Sequence, residues 1–472
     1  MNSGVAEPDE ISTFRDPGGS LSFRGNSCVR FIRHGYESEV LDFLHSPIYS
    51  AWQKRGDIVA TEITNEKSDG FSLSLKHPRF FFPSYPWEWT PGQWLAAAEL
   101  TLRLCDEALG AGWILKDATP LNILFDGPRP VLVDILSFTR RNPRSPIWLA
   151  NAQFVRSFLL PLVAHRYLGW PLATSLLRRD GNEPEKLYDA LSWIRRLHPR
   201  LLWPVTFPVC LDKYFTKIVG VDSVMTKAAG LERDPVLVTR LLRHRVETLR
   251  RQVRYATPPV RTSYWSKYQA HSDHYSDVDK QEKSEFIVSV LEHCKPRAVL
   301  DVGANTGAYS ILAATYGARV VALDTDVASI EHLWQDAFEQ KRDILPLNVN
   351  IAWPTPAVGW ENRENLCLID RAADKFDLVM LLAVIHHIIV GEQIPLQRIV
   401  SLCSRLTRKW LVLEWIPPSD PKFQQLIRGR DDLYRNLSEH TLSSICESYF
   451  ELLRSSQLSN GRTLFLFCKR AT

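Results

Sequence analysis

"AVLDVGANTGAYSILAATYGARVVALDTD", residues 298–326, decides how the second half of this chain is read. It opens with a short apolar run, Ala298–Val302, of strand character. "GANTG" follows, and then "AYSILAATYG", which has helical spacing. Gly303 permits a tight turn, and Gly307 lets the start of the helix approach a ligand with no Cβ in the way. A second apolar run, "ARVVAL", ends at Asp324, 21 residues after Gly303. A carboxylate at that point can accept hydrogen bonds from both hydroxyls of a ribose. A glycine loop alone says little. Set after a strand, before a helix and ahead of an acidic strand end, it predicts a nucleoside-binding α/β crossover.

A dinucleotide loop would read GxGxxG, with pyrophosphate on the helix N-terminus. Here the pattern is D-x-G-x-N-x-G, and Asp301 suits an amine-bearing or cationic ligand while repelling pyrophosphate. The stretch resembles the first motif of class I S-adenosylmethionine-dependent methyltransferases, in which DxGANTG is a frequent variant. The resemblance implies an α/β fold with a Rossmann-like seven-stranded sheet whose last strand is antiparallel, and S-adenosyl-L-methionine as cofactor. It further implies that Asp301, Gly303, Asn305 and Gly307 line the methionine and ribose end and that Asp324 holds the ribose. The remaining strands follow in order: "DILPLNVNIAW" third, "KFDLVMLLAVIHHI" fourth, "RKWLVLEWIPP" fifth, and "FELLRSSQLSNGRTLFLFCKR" as a terminal hairpin turning at Asn460 and Gly461. The family often has an Asp after the third strand that touches the adenine amine. Asn348 and Asn350 stand nearest here, and an Asn carbonyl can accept from an amine.

Methyl transfer is an in-line displacement that needs the acceptor held close and, for a hydroxyl, its proton removed. His386 and His387 fall at the C-terminal end of the fourth strand, where α/β sheets bind ligands, and resemble the paired His of small-molecule methyltransferases. Each is a candidate base or substrate orienter; each could equally cap a helix or pack on the sheet. Glu414, ending the fifth strand, is a third candidate. The Asn/Asp-Pro-Pro-aromatic motif of amide and base nitrogen methylation is absent. The expected acceptor is therefore a small molecule or a saccharide precursor. Tyr264, Trp265, Tyr268 and Tyr275, before the fold, are candidates for an aromatic lid over a sulfonium, or for ordinary packing.

Upstream, "LKDATPLNILFDGPRPVLVDILSF", residues 115–138, places Asp117, Asn122 and Asp134 at kinase-like spacing. The D-x-x-x-x-N interval resembles the catalytic loop of protein kinases and aminoglycoside-type phosphotransferases, whose Asp orients the nucleophile and whose Asn holds magnesium. The departures are substantial. Leu-Lys-Asp replaces the usual His-x-Asp, Ile135 replaces the glycine after the second Asp, and no glycine-rich phosphate loop or strand lysine precedes them; Arg30 or Arg33 ahead of Glu37 is a poor substitute. The reading is a kinase-like fold inactive in phosphoryl transfer; the same residues would also serve simply to cap turns. As a whole, the chain resembles a two-part bacterial family, the rhizobial host-specific nodulation NoeA family, which implies a role in host range and no particular substrate.

At 472 residues the chain predicts more than one domain. The expected organisation is a flexible tail at 1–20, a kinase-like α+β region at 21–139, a helical continuation at 140–254, a linker and lid at 255–284, and the methyltransferase domain at 285–472. The basic helix around Arg240, Arg243, Arg245, Arg250, Arg251 and Arg254 either meets phosphates or an acidic partner or presents a solvated face over the stripe Leu237, Leu241, Leu242, Val246, Leu249 and Val253. A net charge of +4 argues for no nucleic-acid partner. No apolar run reaches a membrane span, the N-terminus lacks a secretory signal, and the eight cysteines are scattered singly. That predicts a cytoplasmic protein with reduced thiols and no metal site. Two other readings stay open: a cofactor-sensing adaptor whose N-terminal region binds a protein partner, and a bifunctional kinase–methyltransferase.

Overall fold

The computed structural model of the protein describes residues 15–25, 27–66, 68–211, 234–260, 263 and 277–470. The aromatic lid expected from Tyr264, Trp265, Tyr268 and Tyr275 lies outside the described residues, as does most of the tail. The chain forms two compact units. One comprises residues up to Pro259 apart from the turn Asp126–Arg129; the other comprises that turn and the residues from Val260.

The first unit begins with an antiparallel sheet in the order β1-β2-β4-β3, formed by β1 (Gly19–Arg24), β2 (Ser27–Arg33), β3 (Glu62–Thr64) and β4 (Phe71–Pro78). The sequence predicts one helix after β2. The chain makes two, α1 (Glu37–Leu44) and α2 (Pro47–Arg55), because Pro47 has no N–H to continue α1 and Ser46 is extended, its Oγ accepting from the Tyr49 amide. "DIVATEI" reads as one strand, yet its front half leaves the ladder. Asp57 there is held by Arg103, at 2.7 and 2.8 Å, and by Arg55 at 2.6 Å.

Helix α3 (Pro91–Gly110) starts as its sequence predicts: Thr90 caps it, and Gln93 returns a bond to the Thr90 amide at 2.9 Å. Then come β5 (Trp113–Leu115), the β6 (Ile123–Asp126) and β7 (Arg129–Leu132) hairpin, and β8 (Phe138–Arg140), which pairs with β5. This run gathers the upstream polar residues. The Asn122 amide donates to Asp117 at 3.2 Å and to Ser137 at 2.9 Å, Ser137 donates to Asp134 at 2.7 Å, and Arg30 from β2 pairs with Asp134 at 3.0 Å.

Short helices α4 (Pro184–Ala190), α5 (Trp193–Arg196) and α6 (Pro199–Leu201) lead to a π-helical turn at Leu202–Thr206. Helix α7 (Pro235–Ala256) is the basic one, and it runs two residues past the expected start of the linker. Its buried face is Val238, Leu242, Val246, Leu249 and Val253; Leu237 and Leu241, expected in the stripe, are exposed. Arg243 and Arg254 pair with Asp106 and Glu99 of α3, so much of the helix's charge is used inside its own unit.

The second unit is built on α8 (Asp277–Cys294), β9 (Ala298–Val302), α9 (Ala308–Thr315), β10 (Arg319–Asp324), α10 (Val327–Gln340), β11 (Ile344–Asn348), β12 (Phe376–Leu381), α11 (Leu396–Leu406), β13 (Thr407–Trp415), α12 (Pro421–Ile427), α13 (Glu439–Glu447), β14 (Phe450–Gln457) and β15 (Thr463–Lys469). The seven-stranded sheet has the order β11-β10-β9-β12-β13-β15-β14. β11, β10, β9, β12 and β13 pair in parallel, and β15 is antiparallel to both its neighbours. Every residue of β9 is buried, which is what a parallel strand covered on both faces requires. The order reverses between β9 and β12, so a crevice opens beyond their carboxyl ends.

Two glycines shape that crevice. Gly303 sits at φ +75° with its N–H on the Leu323 carbonyl, and a Cβ there would fall 2.9 Å from Val384. Gly307 sits at φ +82°, and its Cβ would lie 2.2 Å from a Leu333 methyl. The packing of α9 against α10 thus requires a glycine at 307.

Candidate active site

A cavity of about 1040 Å³ occupies the crevice, lined by residues of β9 and β10, of the loops after β9, β10, β11 and β12, and of α8, α9 and α12. One end is acidic. Asp301 leaves β9 with its carboxylate accepting from Ser310 at 2.6 Å, and burial pushes its pKa up to about 6. Asp324 ends β10 and accepts from the amides of Asn305 and Asp326 at 2.7 and 2.9 Å, with burial again raising its pKa. These bonds fix the plane of the Asp324 carboxylate and leave it free acceptor capacity. The Asn305 side chain accepts from the Thr306 amide at 2.6 Å, so it shapes the loop, and the backbone holds φ +51°.

The same lining carries His386 and His387, their ring centroids 4.2 Å apart, with Lys280, Lys283, Lys422 and Arg462. His386 is 3% exposed, and its Nδ1 finds no hydrogen-bond partner among the described residues. Burial, then His387 and Arg462, push its pKa down to about 3, so the ring is neutral. His387 is lowered by burial and by Lys422.

Glu414 stands elsewhere. It is fully buried in β13, outside the cavity lining, and its carboxylate meets Lys283 at 2.6 Å and Arg462 at 3.4 Å. Arg462 also pairs with Asp420 at 2.9 Å. Glu414 therefore holds two lining cations instead of facing the crevice. Sequence reading missed Lys283 and Arg462. The available signal was the carboxylate inside "LVLEW", since a buried charge demands partners. Asn350 lines the cavity, donating to Glu392 at 3.2 Å. Asn348 does not; its amide donates to the Asp324 and Thr325 carbonyls at 3.1 and 3.0 Å and braces the loop.

The residues present fit a nucleoside bearing a cationic amino-acid tail. Asp301 and Asp324 line the cavity, Leu382, Val349 and Ile351 supply apolar wall, and Lys283, whose charge acts on Asp301, suits the tail's carboxylate.

Residues 300–410 match the family model described as methyltransferase domain. The chain is an S-adenosylmethionine-dependent methyltransferase, its catalytic fold in the second unit and its cofactor S-adenosyl-L-methionine. Over 401 residues it is 25% identical to the nodulation protein NoeA of Rhizobium meliloti (strain 1021), covering 83% of this chain and 81% of NoeA. Among solved structures it is similar to the N-methyltransferase NodS from Bradyrhizobium japonicum WM9 in complex with S-adenosyl-L-homocysteine, at 13% identity and a TM-score of 0.31, covering 44% of this chain and 100% of that one. It is also similar to magnesium protoporphyrin IX methyltransferase from Synechocystis PCC 6803 with bound S-adenosylmethionine, at 17% identity and a TM-score of 0.29, covering 45% of this chain and 87% of that one.

Proposed function

We propose that the chain methylates a small-molecule or saccharide-type acceptor in host-specific nodulation chemistry. The observation that carries this is the single cavity whose lining joins the carboxylates Asp301 and Asp324 to the buried pair His386 and His387. The nodulation setting is supported by the similarity to NoeA. When bound, the cofactor supplies an electrophilic methyl group on a sulfonium.

The chain's own residues divide the rest of the work. Asp324 takes the ribose hydroxyls and Asp301 the amine. Asn350 takes the adenine edge; Gly303, the Asn305 backbone and Gly307 set the glycine loop, and Asn348 braces the turn after Asp324. His386, whose ring holds a proton too weakly to act as base, orients the acceptor through its unpartnered Nδ1. His387 serves as the proton acceptor, and Glu414 positions Lys283 and Arg462. Titration calorimetry with S-adenosylmethionine tests the cofactor end: Asp324→Ala is expected to lose at least about tenfold in affinity, the worth of a charge-assisted bond pair. Unchanged binding would sink the assignment. Methyl transfer from labelled cofactor into cell extracts then separates an enzyme from a cofactor-sensing adaptor.

The first unit we read as kinase-like in fold and inactive in phosphoryl transfer, serving to position substrate or a protein partner. Supporting this is the gathering of Asp117, Asn122 and Asp134 beside a sheet, with Arg30 and Ser137 already engaging the Asp134 carboxylate that a metal would need. Magnesium-dependent ATP binding that vanishes in Asp134→Ala would overturn it in favour of a bifunctional enzyme.

A further inference from the structure

Residues 192–211 of the first unit, "SWIRRLHPRLLWPVTFPVCL", contain Arg195, Arg196, His198 and Arg200 and no Asp or Glu. They also leave large apolar side chains in water: Trp193 is 72% exposed, Ile194 and Leu197 64% each, and Trp203 68%. Phe207 and Leu211 add to them. Apolar surface gathered in one short stretch marks an interaction site.

The stretch is built to hold these groups out. Thr206 donates to the Arg196 carbonyl at 2.6 Å, tying the π-helical turn to the end of α5, and the Trp203 and Phe207 rings lie 5.1 Å apart. Pro199, Pro204 and Pro208 restrict the backbone between them. The arginines are ordered too. Arg196 stacks over Tyr188 at 4.2 Å, Arg200 over Tyr255 at 4.6 Å, and Arg195 donates to the Tyr167 carbonyl. Arg195 and Arg200 remain exposed.

Charge decides the occupant. Guanidinium groups beside Trp, Ile and Leu match a lipid interface, where phosphates meet the arginines, indoles sit at headgroup level and aliphatic chains reach the acyl boundary. Nucleic acid would leave Ile194, Leu197 and Leu211 unburied. None of the described helices is long and apolar enough to cross a membrane, so the contact is peripheral. We propose that residues 192–211 form a membrane-docking surface for an anionic lipid bilayer.

Full-length protein sedimented with vesicles tests this. It is expected to pellet with vesicles of phosphatidylcholine mixed with phosphatidylglycerol and not with phosphatidylcholine alone, with a blue shift in tryptophan emission and release by salt. The pair Trp193→Ser and Trp203→Ser, and separately Arg195→Gln with Arg200→Gln, should each lower partition by about tenfold or more, with cofactor affinity unchanged as the check on folding. No pelleting of wild type with anionic vesicles, or equal partition of wild type and both variants, overturns the proposal. So does a concentration-dependent dimer that the tryptophan substitutions abolish, which would give the patch to a second copy of the chain.

Discussion

Asp301 shows how one residue trades stability for binding. Its carboxyl is held at about 6 against an ordinary 3.8, so the folded protein keeps this proton to higher pH than the unfolded chain does. The stability linked to it is complete below pH 3.8, falls as pH rises through about 6, and stays lost at neutrality. Asp301→Asn is therefore expected to raise the stability of the unliganded protein at pH 7 by about 1–3 kcal/mol, with no gain near pH 3. The same variant should bind S-adenosylmethionine at least about tenfold more weakly. Chemical denaturation at the two pH values, beside calorimetry, checks both; lower stability at pH 7 would refute the account. Asp301 and Asp324 were legible in the sequence because their meaning is local, fixed by a strand end and a glycine loop. Lys283 and Arg462 were not. They reach Glu414 across 131 and 48 residues, and no short pattern encodes such a meeting.

Whole elements were readable where burial is symmetrical. β9, β10 and β12 are runs of apolar residues because helices cover both faces, and their order along the chain carried the sheet with them. Legibility failed where one residue breaks an element, as at Ser46 and Pro47, or where apolar side chains stand on both faces of a helix, as Leu237 and Leu241 do on α7. Gly307 lies between these cases: its presence was legible, its reason was not. Gly307→Ala is expected to cost about 2–5 kcal/mol, from a left-handed φ and a methyl driven into Leu333. Adding Leu333→Ala should relieve the steric part, so the double variant loses less than the sum. Urea midpoints measure this. Normal stability with lost cofactor affinity would return Gly307 to the ligand.

At the scale of the molecule, the second unit was largely legible and the first only in pieces. A parallel α/β sheet repeats one rule, strand then helix, so a single motif fixes the frame for the later strands. The first unit joins an antiparallel sheet to irregular helices through contacts such as Arg30 with Asp134, distant in sequence and unmarked by any repeat. The second sheet has one more property. β15 is the last of its strands in the chain, yet it lies inside the sheet, between β13 and β14. β13 and β14 do not pair with each other, so each has a bare edge until β15 is inserted between them. A chain lacking β15 is therefore left with two sticky edges, although Lys283 still meets the buried Glu414.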